Sequence, residues 1–150
     1  MRTPITLAGW LWIASMAALG SWIAAMAADT RPATEYLSGP VLMPDPVEDG
    51  GRVIVKLPIK RTRACPGTVH RLLRDVATGK IIAVYDPVPA VFPPSYGEGE
   101  IAKTFELPEG LPRRVQYEAE TCFTCNPLQH FRPICSKVPP IIFGVIPRRG

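Results

Sequence analysis

Arg52 to Lys60 reads RVIVKLPIK, and its side chains sort by parity. Val53, Val55, Leu57 and Ile59 fall on one side, and Arg52, Ile54, Lys56, Pro58 and Lys60 on the other. A period of two is the signature of a strand with one face on a core and one in water. Pro58 has no N–H to give to a ladder, which predicts an edge position for this strand. Toward the C-terminus, Thr68 to Asp75 and Lys80 to Asp86 (KIIAVYD) read as two more strands, with Ala77-Thr78-Gly79 between them as a tight hairpin turn. Pro87 to Gly99 carries Pro89, Pro93, Pro94 and Gly97 and reads as a long surface crossing. Strand signals resume at Glu100 to Leu107, Arg113 to Cys122 and Ile141 to Ile146, and Val41 to Met43 adds an edge strand ahead of them all.

These residues predict an all-β domain, an antiparallel sandwich of about seven short strands. The 18 prolines and 12 glycines are scattered between apolar runs, as short strands joined by many turns require. The predicted organisation is a leader over 1–28, a linker over 29–40 (polar and proline-bearing from Asp29 to Gly39), the β domain over 41–147 and a tail over 148–150.

The leader is uncharged for 24 consecutive residues, Ile5 to Ala28. Roughly 20 apolar residues span a bilayer. Arg2 before the run and Asp29 after it orient the N-terminus to the cytoplasm and the rest to the far side. Two readings stay open, and both export the domain. Ala25-Met26-Ala27 supplies a small-x-small site for signal peptidase, with cleavage after Ala27 giving a secreted protein. The length of the run, with Trp10, Trp12 and Trp22 near its ends, instead fits a retained anchor that leaves the domain periplasmic or extracellular. In a retained helix, Ala14 with Ala18, Ala17 with Ser21, and Ser21 with Ala25 have the small-xxx-small spacing by which a second copy could pack.

Leu107-Pro108-Glu109-Gly110-Leu111-Pro112, followed by Val115, Tyr117 and Ala119, resembles the corner entering the penultimate strand of immunoglobulin and fibronectin type III sandwiches. The resemblance implies an immunoglobulin-like scaffold in which Tyr117 hydrogen-bonds back to that corner. With no tryptophan outside the leader, the chain lacks the Cys-Trp-Cys core of antibody-type domains. Cys65-Pro66-Gly67-Thr68-Val69 and Cys125-Asn126-Pro127-Leu128 also resemble stretches of uncharacterised leader-bearing proteins encoded by bacteriophages, which implies no activity.

Four cysteines, Cys65, Cys122, Cys125 and Cys135, in an exported chain predict two disulfides, with three pairings open. Strand parity sets the loop after Lys60 and the loop after Cys122 at one end of the domain, so Cys65 reaches the group 122–135. The expected frame is Cys65 with Cys122, and Cys125 with Cys135 stapling CNPLQHFRPIC. The rival reading takes Cys122-Phe123-Thr124-Cys125 as a CxxC dithiol or, with Cys135 and His130 or Cys65, a zinc site.

No nucleophile elbow, phosphate loop or metalloprotease motif occurs, and His70 and His130 are the only histidines, so no enzyme and no cofactor are expected. Glu118 and Glu120 share one strand face and read as solvated. The formal charge of +4 is modest, and no aromatic ladder is visible, so nucleic acid is not an expected partner. Arg52, Lys56 and Lys60 line one face of their strand. At the cysteine-bearing end, Arg61, Arg63, His70, Phe123, Leu128, His130, Phe131 and Arg132 are the candidate binding residues, for an envelope protein or for lipid headgroups near the anchor. The functional expectation is a non-enzymatic, tethered or secreted immunoglobulin-like interaction module; the alternative is an envelope thiol-redox or zinc-handling protein using Cys122 and Cys125.

Overall fold

A computed structural model of the chain describes residues 6–92 and 96–148. It is mostly β, with one N-terminal apolar helix, α1 (Leu7–Ala28). Thr6 caps that helix by accepting from the Gly9 N–H, and none of its residues is buried against the domain. Its 22 residues make it long and apolar enough to cross a bilayer. Both a signal sequence and an anchor meet that description.

Among the described residues ten strands follow: β1 (Thr34–Tyr36), β2 (Val41–Met43), β3 (Val47–Glu48), β4 (Arg52–Arg61), β5 (Gly67–Asp75), β6 (Ile81–Pro89), β7 (Gly97–Glu106), β8 (Arg114–Phe123), β9 (Ile134–Lys137) and β10 (Ile141–Ile146). In one sheet, β7 pairs with the whole of β4, while β1 and β2 share its other edge. In the other, β8 has β5 and then β6 on one side, with β10 and β9 in tandem on the other; β3 joins β10 in parallel. A single core draws on both sheets: Val53, Val55, Leu57 and Ile59 of β4 and Phe105 of β7 meet Leu73, Val115, Tyr117, Phe143 and Val145. The alternation of RVIVKLPIK is thus realised in the expected sense.

Three strands lie outside the expected set: β1, inside the expected linker, with β3 and β9. Ala33 and Thr34 are buried, so the ordered domain begins before residue 41. Each of the three is too short for periodicity to register. A second correction concerns Pro58, because β4 is paired on both edges. The Pro58 carbonyl accepts from the Leu37 N–H at 3.1 Å. Since a residue's N and O point to the same side of a strand, its nitrogen faces the interval between β1 and β2, where no ladder bond is required. The expected crossing over 87–99 is partly strand, as β6 continues to Pro89 and β7 starts at Gly97; Pro93 and Pro94 lie outside the described residues.

The hairpin between β5 and β6 closes where expected. Gly79 takes a φ of +70°, and the Asp75 carboxylate accepts from the Ala77 N–H and the Thr78 hydroxyl. The corner before β8 is fastened differently from what the resemblance implies. Asp49 accepts from the N–H groups of Gly110 and Leu111, at 2.9 and 3.0 Å. Tyr117 is inside the core, stacked on Phe105 with ring centroids 5.2 Å apart, and burial pushes its hydroxyl up to about 12.

Candidate functional site

Where β4 and β8 finish, their loops meet the end of α1. Asn126, after β8, caps a short 3-10 turn (Pro127–His130) by accepting from the Gln129 N–H at 3.2 Å, with Pro127 in the first turn, where a missing N–H costs nothing. This turn leads back into β9, which pairs with β8 so that Cys135 stands directly opposite Cys122.

That register corrects the expected frame. The disulfides are Cys122–Cys135, with Cα atoms 3.9 Å apart, and Cys65–Cys125, with Cα atoms 4.8 Å apart. Parity brought Cys65 to the right end of the domain, but β9 takes Cys122 for itself and leaves Cys125 for Cys65. The CxxC pair is therefore divided between two bridges and does not close on itself. Glu120, Cys122 and Cys135 offer ligand atoms within 4.8 Å of one another, yet both sulfurs are bonded to each other, so neither is a thiolate for a metal.

The Cys65–Cys125 bridge holds together two loops that both grip the helix end. On one, the Arg63 guanidinium binds both oxygens of the Asp29 carboxylate, at 2.6 and 3.0 Å, and donates to the Arg31 carbonyl at 3.3 Å. On the other, the Asn126 amide donates to the Met26 carbonyl at 3.2 Å, and the Gln129 amide donates to the Asp29 carbonyl at 3.1 Å. Gln129 is only 4% exposed, and its side-chain oxygen also accepts from the Cys125 N–H at 2.6 Å. The Arg63 guanidinium holds the Asp29 carboxyl below its usual range.

The candidate residues divide into three groups. Arg63 and half-buried Leu128 face the helix end; Leu128 lines a groove of about 330 Å³ with Met26, Ala27 and Arg132. Arg61 lies over the rings of Phe92 and Tyr96, at 5.9 and 5.6 Å from their centroids. His130, Phe131 and Arg132 are exposed, Phe131 to 90%. Two candidates leave the surface site. Phe123 is 0% exposed and packs on Phe92, because its position in β8 shares the core parity of Val115, Tyr117 and Ala119. His70 lies on the outer sheet face, opposite Glu120. The basic line along β4 also gains partners: Arg52 pairs with Glu106 at 3.0 Å and Lys56 with Glu100 at 3.8 Å, both glutamates on β7. Asn126 and Gln129 are not among the expected site residues, although Asn-Pro at 126–127 carried the cap signal, and Asp29 was expected only as the charge that ends the apolar run.

A scan against protein-family models and a search of the curated proteins find no match to the chain.

Proposed function

We propose that the chain is a membrane-tethered, non-enzymatic, immunoglobulin-like interaction module of the cell envelope, and that its disulfide-braced loop end is the contact surface. The two disulfides and the apolar helix fit an exported protein. The immunoglobulin-like reading is supported by the order β3-β10-β8-β5-β6 in one sheet, with β4 and β7 in the other, which parallels the GFC-type and ABE-type sheets of such domains. Retention of the helix is supported by the contacts at its end. The Ala25-Met26-Ala27 site sits in helical conformation, and Met26 and Asp29 are already bonded to the domain.

The observation that carries the contact surface is Phe131. It is exposed to 90% beside Arg132 and His130, on a turn fixed through Gln129 and, one residue before Asn126, by the Cys65–Cys125 bridge. An aromatic and an arginine presented outward are side chains of the kind that carry interface energy, and a turn fixed in advance spares the cost of ordering its backbone on binding. The test places a photo-crosslinking amino acid at position 131 of the full-length chain in its native envelope. A discrete protein adduct that disappears in Arg132→Glu is expected; adducts to lipid alone, or none, overturn the reading.

A further inference from the structure

Two cations point into the interior of the domain. Arg71 on β5 stands opposite Ala119 of β8, which is buried, and Lys103 on β7 stands opposite Val55 of β4, also buried. Facing residues of paired strands project to the same side, so both cations aim between the sheets. The Arg71 guanidinium lies 5.3 Å from the Tyr85 ring centroid and 5.8 Å from that of Phe105, and its Nε is buried without a hydrogen-bond partner. Among the described residues neither Arg71 nor Lys103 has a carboxylate partner. Both line a cavity of about 70 Å³ whose other walls include Leu57, Val69, Ile101 and Val88, and which exposed Val91 borders. Tyr36 and Thr121, joined hydroxyl to hydroxyl at 3.4 Å, also line it.

Both cations are half-buried, and an inward cation without a counter-charge opposes folding to the extent that it is desolvated. Filling this core with an aliphatic pair would remove that cost, yet the chain places one cation on each sheet around one apolar space. We propose that the cavity between the sheets is a binding site for a small aliphatic carboxylate, with Arg71 and Lys103 receiving the carboxylate and the apolar walls receiving its tail. The planar guanidinium suits a carboxylate in two-pronged geometry, and the free Nε supplies a donor already stripped of water. A water needs roughly 10–15 Å³ on a comparable measure. The space therefore takes a body of several heavy atoms and not a long acyl chain.

Isothermal titration of the full-length chain in phosphatidylcholine nanodiscs tests this with hexanoate, hexanol and acetate as probes. Saturable binding of hexanoate is expected, at least tenfold tighter than hexanol or acetate. Arg71→Met and Lys103→Met should each weaken hexanoate binding at least tenfold while raising the melting temperature of the unliganded protein, since an unpaired cation is replaced by an apolar group of similar length. Arg71→Lys, which keeps the charge and loses the fork, provides a second reading should Arg71→Met fail to fold, with intermediate affinity expected. Hexanol binding as tightly as hexanoate would reduce the site to an apolar void. Acetate binding as tightly would reduce it to a surface charge effect, and hexanoate affinity unchanged in the variants would place binding elsewhere; each of these overturns the proposal.

Discussion

At the end of the domain where β4 and β8 finish, Cys65 and Cys125, 60 residues apart, are joined by a covalent bond. At the end where the same two strands begin, Asp49 and Gly110, 61 residues apart, are joined by a hydrogen bond to one carboxylate, which also holds Leu111. The near-equal separations have one cause. β4 and β8 run the same way in opposite sheets, so equivalent loops meet at both ends. Topology decides which segments meet, and the chemistry placed there decides how firmly. The firm end is the one that also carries the helix, through Arg63, Asn126 and Gln129.

The comparison breaks first at the disulfides. Replacing Cys65 and Cys125 by serine frees a long loop in the unfolded chain and should cost about 4 kcal/mol on the chain-entropy model. The Cys122–Cys135 bridge closes a separation of only 13, and its removal should cost about 3 kcal/mol. Urea unfolding of both double variants measures the order. A larger loss for Cys122 and Cys135 would mean that the β8–β9 pairing, and not the loop closure, is what the cysteines secure.

How far the sequence revealed these two ends follows from the range of the forces. The alternation in β4 and the turn at Asp75 to Gly79 depend on neighbours in the chain, and both are visible in a single strand's residues. The pairing of Cys122 with Cys135 depends on β9, four residues long and preceded by Pro133, which has no period of its own to read. Parity in GTVHRLLRD places Arg71 with Val69 and Leu73, but Leu72 argues equally for the opposite face. Only the pairing of β5 with β8 settles that Leu73 is inside, and Arg71 with it. The contact of residues 126 and 129 with the helix end could not be read from the strand pattern, because it joins groups 100 residues apart through side-chain amides.

The weaker end should respond to acid. The N–H groups of Leu111 and Gly110 hold the Asp49 carboxyl below its usual range. A group whose folded pKa is depressed contributes stability that is present above its unfolded pKa, near 4, and is lost as pH falls through the folded value. Asp49→Ala should therefore destabilise at pH 7, by less than either disulfide, and the difference from wild type should shrink at pH 3. Asp75, Asp29 and Glu118 are depressed as well, by Thr78, Arg63 and Arg74 respectively, so the wild type keeps part of its acid slope when Asp49 is removed. Urea midpoints for both proteins at the two pH values check this; a pH-independent difference would mean that the corner is held by packing and not by the charge.

The smallest effect on stability, and the most telling for the helix-bearing end, should come from Arg63→Ala. Arg63 and Asp29 remain partly open to water, and ion pairs of that kind add little to folding. Their geometry nonetheless ties the first residue after the helix to the loop two residues before Cys65, with both carboxylate oxygens engaged. Without it, the hydrogen bonds left among the described residues between the domain and Met26 and Asp29 are those of the Asn126 and Gln129 amides, and the Gln129 bond loses the neighbour that fixed its acceptor residue. The expected result is a melting temperature close to wild type, with faster hydrogen–deuterium exchange at the Cys125 N–H, which is bonded to Gln129, and no change at the Gly110 and Leu111 N–H groups at the other end. Unchanged exchange at Cys125 would show that the disulfide and the two amides suffice to hold the helix end. The charge pair would then be a consequence of that docking and not one of its causes.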